Sequence, residues 1–195
     1  CALPIYSNVI TSCSAAVTTR GLYSVGGLCG FNQYSHPVVG TISNAYATGD
    51  VFGTTYVGGL VGINYDGRII HCYSTGKPAG SEAVGGFCGQ VLRLTRYQDI
   101  GNFWDMETSQ IPVSTMGLGH VTILMKTLST FLDAGLDFAD IWELPAGDYP
   151  RLLNPKSGYS GGFGTPANPF RISTVDDWLT LINSPEDWDN HFVLT

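Results

Sequence analysis

Positive charge is scarce in this sequence. Lysine and arginine together number nine against sixteen acidic residues, for a net charge of −7 over 195 residues. No run of basic residues occurs. Nucleic acid and anionic membrane surfaces both select for a basic footprint, so neither is expected as a partner. Long apolar runs are missing as well. None reaches the ~18–20 residues that cross a bilayer as a helix, so no membrane insertion is expected. The opening Cys1-Ala2-Leu3-Pro4-Ile5 lacks the basic start and apolar core of a signal peptide. The chain therefore reads as a fragment, with any export signal upstream.

Sites with familiar spacing are also lacking. His36, His71, His120 and His191 form no His-Glu-x-x-His, so zinc-protease chemistry is not encoded. The five cysteines form no Cys-x-x-Cys, which leaves a zinc site unsupported. No metal, cofactor or catalytic residue is assigned, and the chain is not expected to be an enzyme.

What the sequence has is glycine in a pattern. Val25-Gly26-Gly27-Leu28-Cys29-Gly30, Val57-Gly58-Gly59-Leu60-Val61-Gly62 and Val84-Gly85-Gly86-Phe87-Cys88-Gly89 are three copies of one block, starting 32 and 27 residues apart. Cys13, Ala45 and Cys72 stand thirteen residues before the first Gly of each copy. Ile10, Ile42 and Ile69 stand three residues before those. Two markers at fixed offsets in three copies define a repeat. The apolar runs are too short for helices and are broken by Gly every few residues. Ile42, Tyr46 and Val51 favour strands, while Thr-Gly and Asp-Gly mark turns. Gly-Gly inside such a pattern marks close backbone approach or a tight bend. The reading is two or three short strands per unit, stacked in parallel as rungs of a β-solenoid, because a single rung cannot bury its apolar face.

These blocks, with Asn44-Ala45-Tyr46-Ala47-Thr48-Gly49 and Cys72-Tyr73-Ser74-Thr75-Gly76, resemble the GLUG repeat. Phe87 replaces the usual Leu. Such repeats occur in large bacterial surface and secreted proteins, including adhesin-like chains and immunoglobulin A1-specific metallopeptidases. The resemblance covers roughly residues 8–110. It implies a right-handed parallel β-helix and an extracellular or cell-surface setting, and it does not imply an enzyme.

Taken in order, residues 6–110 are expected to be solenoid of about four rungs, the first of them, Asn8 to Cys13, incomplete. Two insertions, Phe31–Gly40 and Val91–Gln98, should emerge as surface loops, the second carrying Arg93 and Arg96. Ile100 should extend the inward column Ile10, Ile42, Ile69, with Phe103 in the register of Cys72. Residues 111–153 are read as a short helix-containing cap. There Leu124, Leu128, Phe131 and Leu132 have helical spacing, Thr122 and Ser129 are candidate N-caps, and Gly135 is a candidate stop. The Gly/Pro-rich segment 154–169 is read as a linker. Residues 170–195 resemble the segment that opens such arrays: a strand, a helix with Val175, Trp178, Leu179 and Ile182 on one face and Ser173 or Thr174 as cap, then the start of a second strand. They would be the truncated start of a following module.

Four constellations merit chemical scrutiny. The cysteines are expected reduced and buried, since Ala45 and Val61 take the equivalent middle-rung positions and two rungs span about 10 Å. Gly158-Tyr159-Ser160-Gly161-Gly162 matches Gly-x-Ser-x-Gly, with Asp176 and His191 downstream, but lacks the strand before it and the helix after it. Asp105 and Glu107 are paired acids, suited to glycoside hydrolysis or calcium, or simply solvated. Tyr46, Tyr56, Tyr65 and Tyr73 are expected to be exposed, with Tyr46 and Tyr73 in a ladder that either stacks on sugars or stabilises neighbouring strands. His71 is expected to face solvent. The reading is a noncatalytic structural and interaction module of a bacterial surface protein, adhesive or glycan-binding. Its partners would be glycans or host surface molecules, and the flanking modules of its own chain. The alternative is a segment of a β-helix carbohydrate-active enzyme, or of a large surface peptidase, with the catalytic part elsewhere.

Overall fold

The computed structural model describes residues 5–6, 9–36, 38–93, 98–153 and 158–195. It is mostly β, with parallel sheets. Two compact units are present, Cys1–Leu136 and Asp137–Thr195. The segment expected to be a cap, 111–153, spans that division.

In the first unit each of the first three repeats visits four sheets in one order. Sheet 1 holds Val9–Ala15, Thr41–Ala47 and Arg68–Ser74, continued by Gln98–Ile100, Phe103–Asp105 and Leu118–His120. Sheet 2 holds Thr19–Arg20, Val51–Phe52 and Pro78–Ala79. Sheet 3 holds Tyr23–Gly26, Thr55–Gly58 and Glu82–Gly85. Sheet 4 holds Ile5–Tyr6, Cys29–Ser35, Val61–Tyr65 and Cys88–Leu92. All pairings between repeats are parallel. The first repeat is complete from Val9 onward, unlike the partial rung expected. The two-residue strands of sheet 2 raise the count above the two or three per unit that the sequence suggests.

The core between the sheets is apolar and narrow. Ile42, Ala45, Ala47, Leu60, Val61, Ile69, Cys72, Phe87, Cys88 and Trp104 form one buried cluster. Ile10, Ile42 and Ile69 are in register. Ile100 is not part of that column. It pairs with Ile70, Asp99 takes the place beside Ile69, and Ile100 is 46% exposed. The fourth repeat is one residue shorter than expected, so Phe103 pairs with Tyr73 and Asn102 comes opposite Cys72. Asn102 fills that buried place by copying a strand: its amide donates to the Ile69 carbonyl at 2.7 Å and accepts from the Cys72 N–H at 2.9 Å.

The backbone kinks at repeating positions. Ser12, Asn44, His71 and Gly101 are left-handed, each one residue before the Cys13/Ala45/Cys72 column or its continuation. Ser24, Tyr56 and Ala83 form a second left-handed column, and Asp66 and Arg93 a third. Each kink takes one residue out of the ladder, as in the skipped Asn44 between Ser43 and Ala45, and turns the strand.

One end of this unit closes with α1 (Met106–Ser109), a 3-10 turn (Leu124–Lys126) and α2 (Leu128–Leu132). The caps differ from expectation. Thr127 precedes α2 without a side-chain cap bond, its hydroxyl instead donating to the Ile123 carbonyl. Gly135 does stop the helix, with φ +86° and paired bonds from Gly135 N to Leu132 O and from Leu136 N to Phe131 O, the Schellman pattern. Leu124, Leu128 and Leu132 are 41–49% exposed, whereas Met125 and Phe131 are wholly buried. A five-residue helix anchors through one ring, so the wider helical stripe does not form.

In the second unit Trp142–Glu143 pairs antiparallel with Arg151–Leu152. Residues 154–157 of the expected linker lie outside the described residues. Its remainder is ordered by bonds: Ser160 N donates to Arg171 O, Arg171 N to Gly161 O, and Tyr159 stacks on Phe170 at 4.4 Å. Phe170–Ile172 pairs in parallel with Phe192–Leu194, and α3 (Val175–Asn183) lies between them in sequence, as a capping box on Thr174 predicts. Val175, Trp178, Leu179 and Ile182 are 47–73% exposed.

Candidate functional site

The Gly-Gly blocks explain the close spacing of the sheets. A Cβ on Gly26, Gly58 or Gly85 would stand 2.0–2.1 Å from the carbonyl oxygen three residues on, at the turn into sheet 4. A Cβ on Gly27 would meet the carbonyl of Gly59 at 2.3 Å, one on Gly59 that of Gly86 at 2.1 Å, and one on Gly86 the Trp104 ring. None of these six glycines has positive φ. They are chosen for size, because the next repeat lies directly upon them.

The tyrosine ladder exists, but one of its two rings is covered. Tyr46 and Tyr73 stack at 5.0 Å with rings 2° from parallel. Tyr73 is only 1% exposed, because Phe131 of α2 packs edge-on against it at 6.2 Å and against Phe103 at 5.4 Å. Tyr56 and Tyr65 are half-buried. The pair therefore steadies neighbouring strands, with Tyr73 withdrawn from the surface and Tyr46 half-buried. His71, expected to face solvent, is half-buried: Ala134 accepts its hydrogen bond, and burial lowers its pKa from the ordinary 6.5.

The residues nominated for chemistry are engaged in structure. Asp105 is fully buried and caps α1, accepting from the N–H groups of Glu107 and Thr108 at 2.9 and 3.1 Å. Glu107 accepts from Thr122 N at 2.8 Å, so the acids hold separate segments. The Ser160 hydroxyl donates to Asp177 at 2.7 Å, not to His191 or Asp176. Burial opposes charge on Asp177, but bonds from Ser160, Ser173 N and Thr174 N outweigh it and bring the carboxyl down to about 2. Cys13, Cys29, Cys72 and Cys88 are free. Burial pushes the thiol of Cys29 up to about 11 and those of Cys72 and Cys88 up to about 12. Cys13 departs from the expected burial because, among the described residues, its strand is the edge of sheet 1.

The surface changes character where sheet 4 turns into sheet 1. Inside this corner Asn32 and Asn64 are buried and linked, Asn32 Nδ2 donating to Asn64 Oδ1 at 2.9 Å and Asn64 Nδ2 to the Gly67 carbonyl at 3.0 Å. Strand alternation puts Phe31, Gln33, Ile63 and Tyr65 on the other face. Phe31 and Tyr65 lie 6.4 Å apart and 24° from parallel, and the exposed Arg93 guanidinium is 5.7 Å from the Tyr65 ring with a long bond of 3.4 Å to its hydroxyl. Phe31–Gln33 and Val91–Leu92, expected in the two insertions, are instead in the ladder of sheet 4. Beyond Gln33 the first insertion is a hairpin, with Tyr34 opposite Val39 and Ser35 opposite Val38. Of the second insertion, residues 94–97, Arg96 among them, lie outside the described residues, as does Pro37 of the first. Between them the middle repeat turns tightly through Asp66 and Gly67.

The GLUG motif matches residues 21–51 and 53–77. This chain carries GLUG repeats. Over 128 residues it is 34% identical to a protein of Evansella cellulosilytica described as "Putative Gly-rich membrane protein". That match takes in 65% of this chain and 11% of the relative's length. No solved structure matches the chain. Among the described residues, no helix is long and apolar enough to cross a membrane.

Within the GLUG repeats, the Asn32–Asn64 pair was readable as a repeat position, two residues past the third Gly of its block. The third copy has Val91 there, which hid the column. The outer patch had no periodic signal. Phe31, Tyr65 and Arg93 come from three repeats and meet diagonally, a relation that only the register reveals.

Proposed function

We propose that this chain is a noncatalytic interaction module of a bacterial surface protein, built as a right-handed parallel β-helix. The carrying observation is the engagement of Asp105, Glu107, Ser160 and Asp177 in caps and turns. Each of these groups has a structural task as cap or turn partner, which supports the noncatalytic reading. The repeated four-sheet path supports the β-helix, because right-handed crossovers dominate among parallel strands. The GLUG repeats and the relative's description support a surface setting.

Antibodies raised against residues 9–136 test the setting on cells expressing the parent protein. Intact cells should label as strongly as permeabilised ones, and surface proteolysis should remove the signal. Labelling only after permeabilisation would overturn the surface assignment. Incubation with a polysaccharide panel should release no reducing sugar. Turnover abolished by Asp105→Asn in a variant that keeps its melting temperature would favour a carbohydrate-active enzyme instead.

A further inference from the structure

We propose that the outer face of sheet 1 binds one neutral terminal pyranose, seated over Ser14 against the ring of Tyr46. The inference rests on the interaction-module reading and names its ligand.

One column of the outer face defines the place. Ser14, Tyr46 and Tyr73 are in register, and Phe103 and Leu118 continue the column. At Tyr73 and Phe103 the column is closed, because Phe131 of α2 packs edge-on against both rings. Toward the first repeat it opens: Tyr46 is half-buried and Ser14 exposed. The Tyr46 and Tyr73 rings lie 5.0 Å apart and 2° from parallel. That separation matches the ~4.8 Å between strands, so the ring planes stand across the column and the second face of Tyr46 looks toward Ser14. A serine side chain is too short to take a ring's place. One ring-sized step of the ladder is left beside Tyr46.

Hydroxyls surround this step. Thr11 and Ser43 are in register and share the outer face, joined by a bond of 3.2 Å from Ser43 Oγ to Thr11 Oγ1. Ser14 adds a third hydroxyl. Each hydroxyl has one donor and two acceptor sites, more than that single bond uses. Charge is missing. From Val9 to Ala47 the one residue charged at pH 7 is Arg20, which belongs to sheet 2 and lies 4.2 Å over the Phe52 ring.

These features suit an uncharged sugar ring. A pyranose has an apolar C–H face, which suits an aromatic ring, and a rim of hydroxyls, which suits serine and threonine. A uronate carboxylate finds no cation on this face and meets a chain of net charge −7. An aromatic side chain of a protein partner would stack on Tyr46 but cover the three hydroxyls without bonding them. The step is one ring deep, so it takes the end of a glycan or a branch.

The test is retention of the whole 195-residue chain on beads carrying terminal glucose, galactose, mannose, N-acetylglucosamine or glucuronate. At least one neutral bead should retain it, and the glucuronate bead should not. Ser14→Tyr fills the step with a further ring. It should abolish retention and leave the melting temperature unchanged or higher, since a cross-strand aromatic pair stabilises a sheet. Tyr46→Leu keeps apolar bulk but removes the ring, and should weaken retention roughly tenfold. Arg20→Gln changes a different sheet and should have no effect. No retention on any neutral bead, equal retention on glucuronate, or full retention in folded Ser14→Tyr would overturn the proposal. Where Ser14→Tyr lowers the melting temperature, Tyr46→Leu decides, and unchanged retention there has the same meaning. Cell labelling tests the surface reading separately and is unaffected by that failure.

Discussion

Two kinds of small residue do opposite work in these repeats. The Gly-Gly positions have ordinary φ and no space, so Gly59→Ala drives a methyl into the Gly86 carbonyl. A cost of about 3 kcal/mol is expected from the backbone shift this forces, measured as a lower urea midpoint. Ala83 has the reverse problem, with φ of +50° and a side chain only partly buried. Ala83→Gly should stabilise by roughly 0.5–1 kcal/mol, because relief of the left-handed strain exceeds the added chain entropy. A fall in stability in that variant would show the kink to be unstrained. The thiols separate by place in the stack. Timed alkylation with peptide mapping at pH 7.5 should modify Cys13 promptly, and Cys29, Cys72 and Cys88 only on unfolding. Their thiolates are suppressed by burial, so rapid labelling of Cys72 in folded protein would contradict the register.

At the scale of elements, α2 depends on a single ring. Phe131 is fully buried, with Tyr73 and Phe103 around it, while Leu128 and Leu132 remain exposed. Five residues cannot sustain a helix without tertiary contact. Phe131→Ala should therefore cost about 3–4 kcal/mol and uncover the Tyr46–Tyr73 stack, seen as raised tyrosine accessibility to iodination. Leu128→Ala should cost under about 1 kcal/mol. Equal losses from the two variants would mean that the helix presents a different face. In the second unit, α3 takes its stability from its cap: Thr174 and Asp177 exchange bonds across the first turn.

For the whole molecule, pH acts through half-buried histidines. Burial lowers the pKa of His71 and of His120 below the ordinary 6.5. As pH falls through about 6.5 the unfolded chain takes up protons that the folded chain still refuses, so stability decreases. The loss continues until the folded histidines titrate, below which it is complete. The melting temperature should thus drop between pH 7.5 and 5, and His71→Gln should flatten part of that slope. An unchanged slope would place His71 in solvent. The sequence alone determined the repeat, its strand character and its interior columns of Ile, Ala and Cys, because stacked rungs impose one periodic pattern that survives in a linear chain. It also determined the α3 cap, which is a local motif. Tertiary structure decided the rest. Asn102 replaced a core residue because the fourth repeat is one residue shorter. Tyr73 of the tyrosine ladder was covered by a helix distant in sequence. Phe31, Tyr65 and Arg93 met diagonally across three repeats. Each of these is a contact between residues whose spacing depends on register, and register follows from packing.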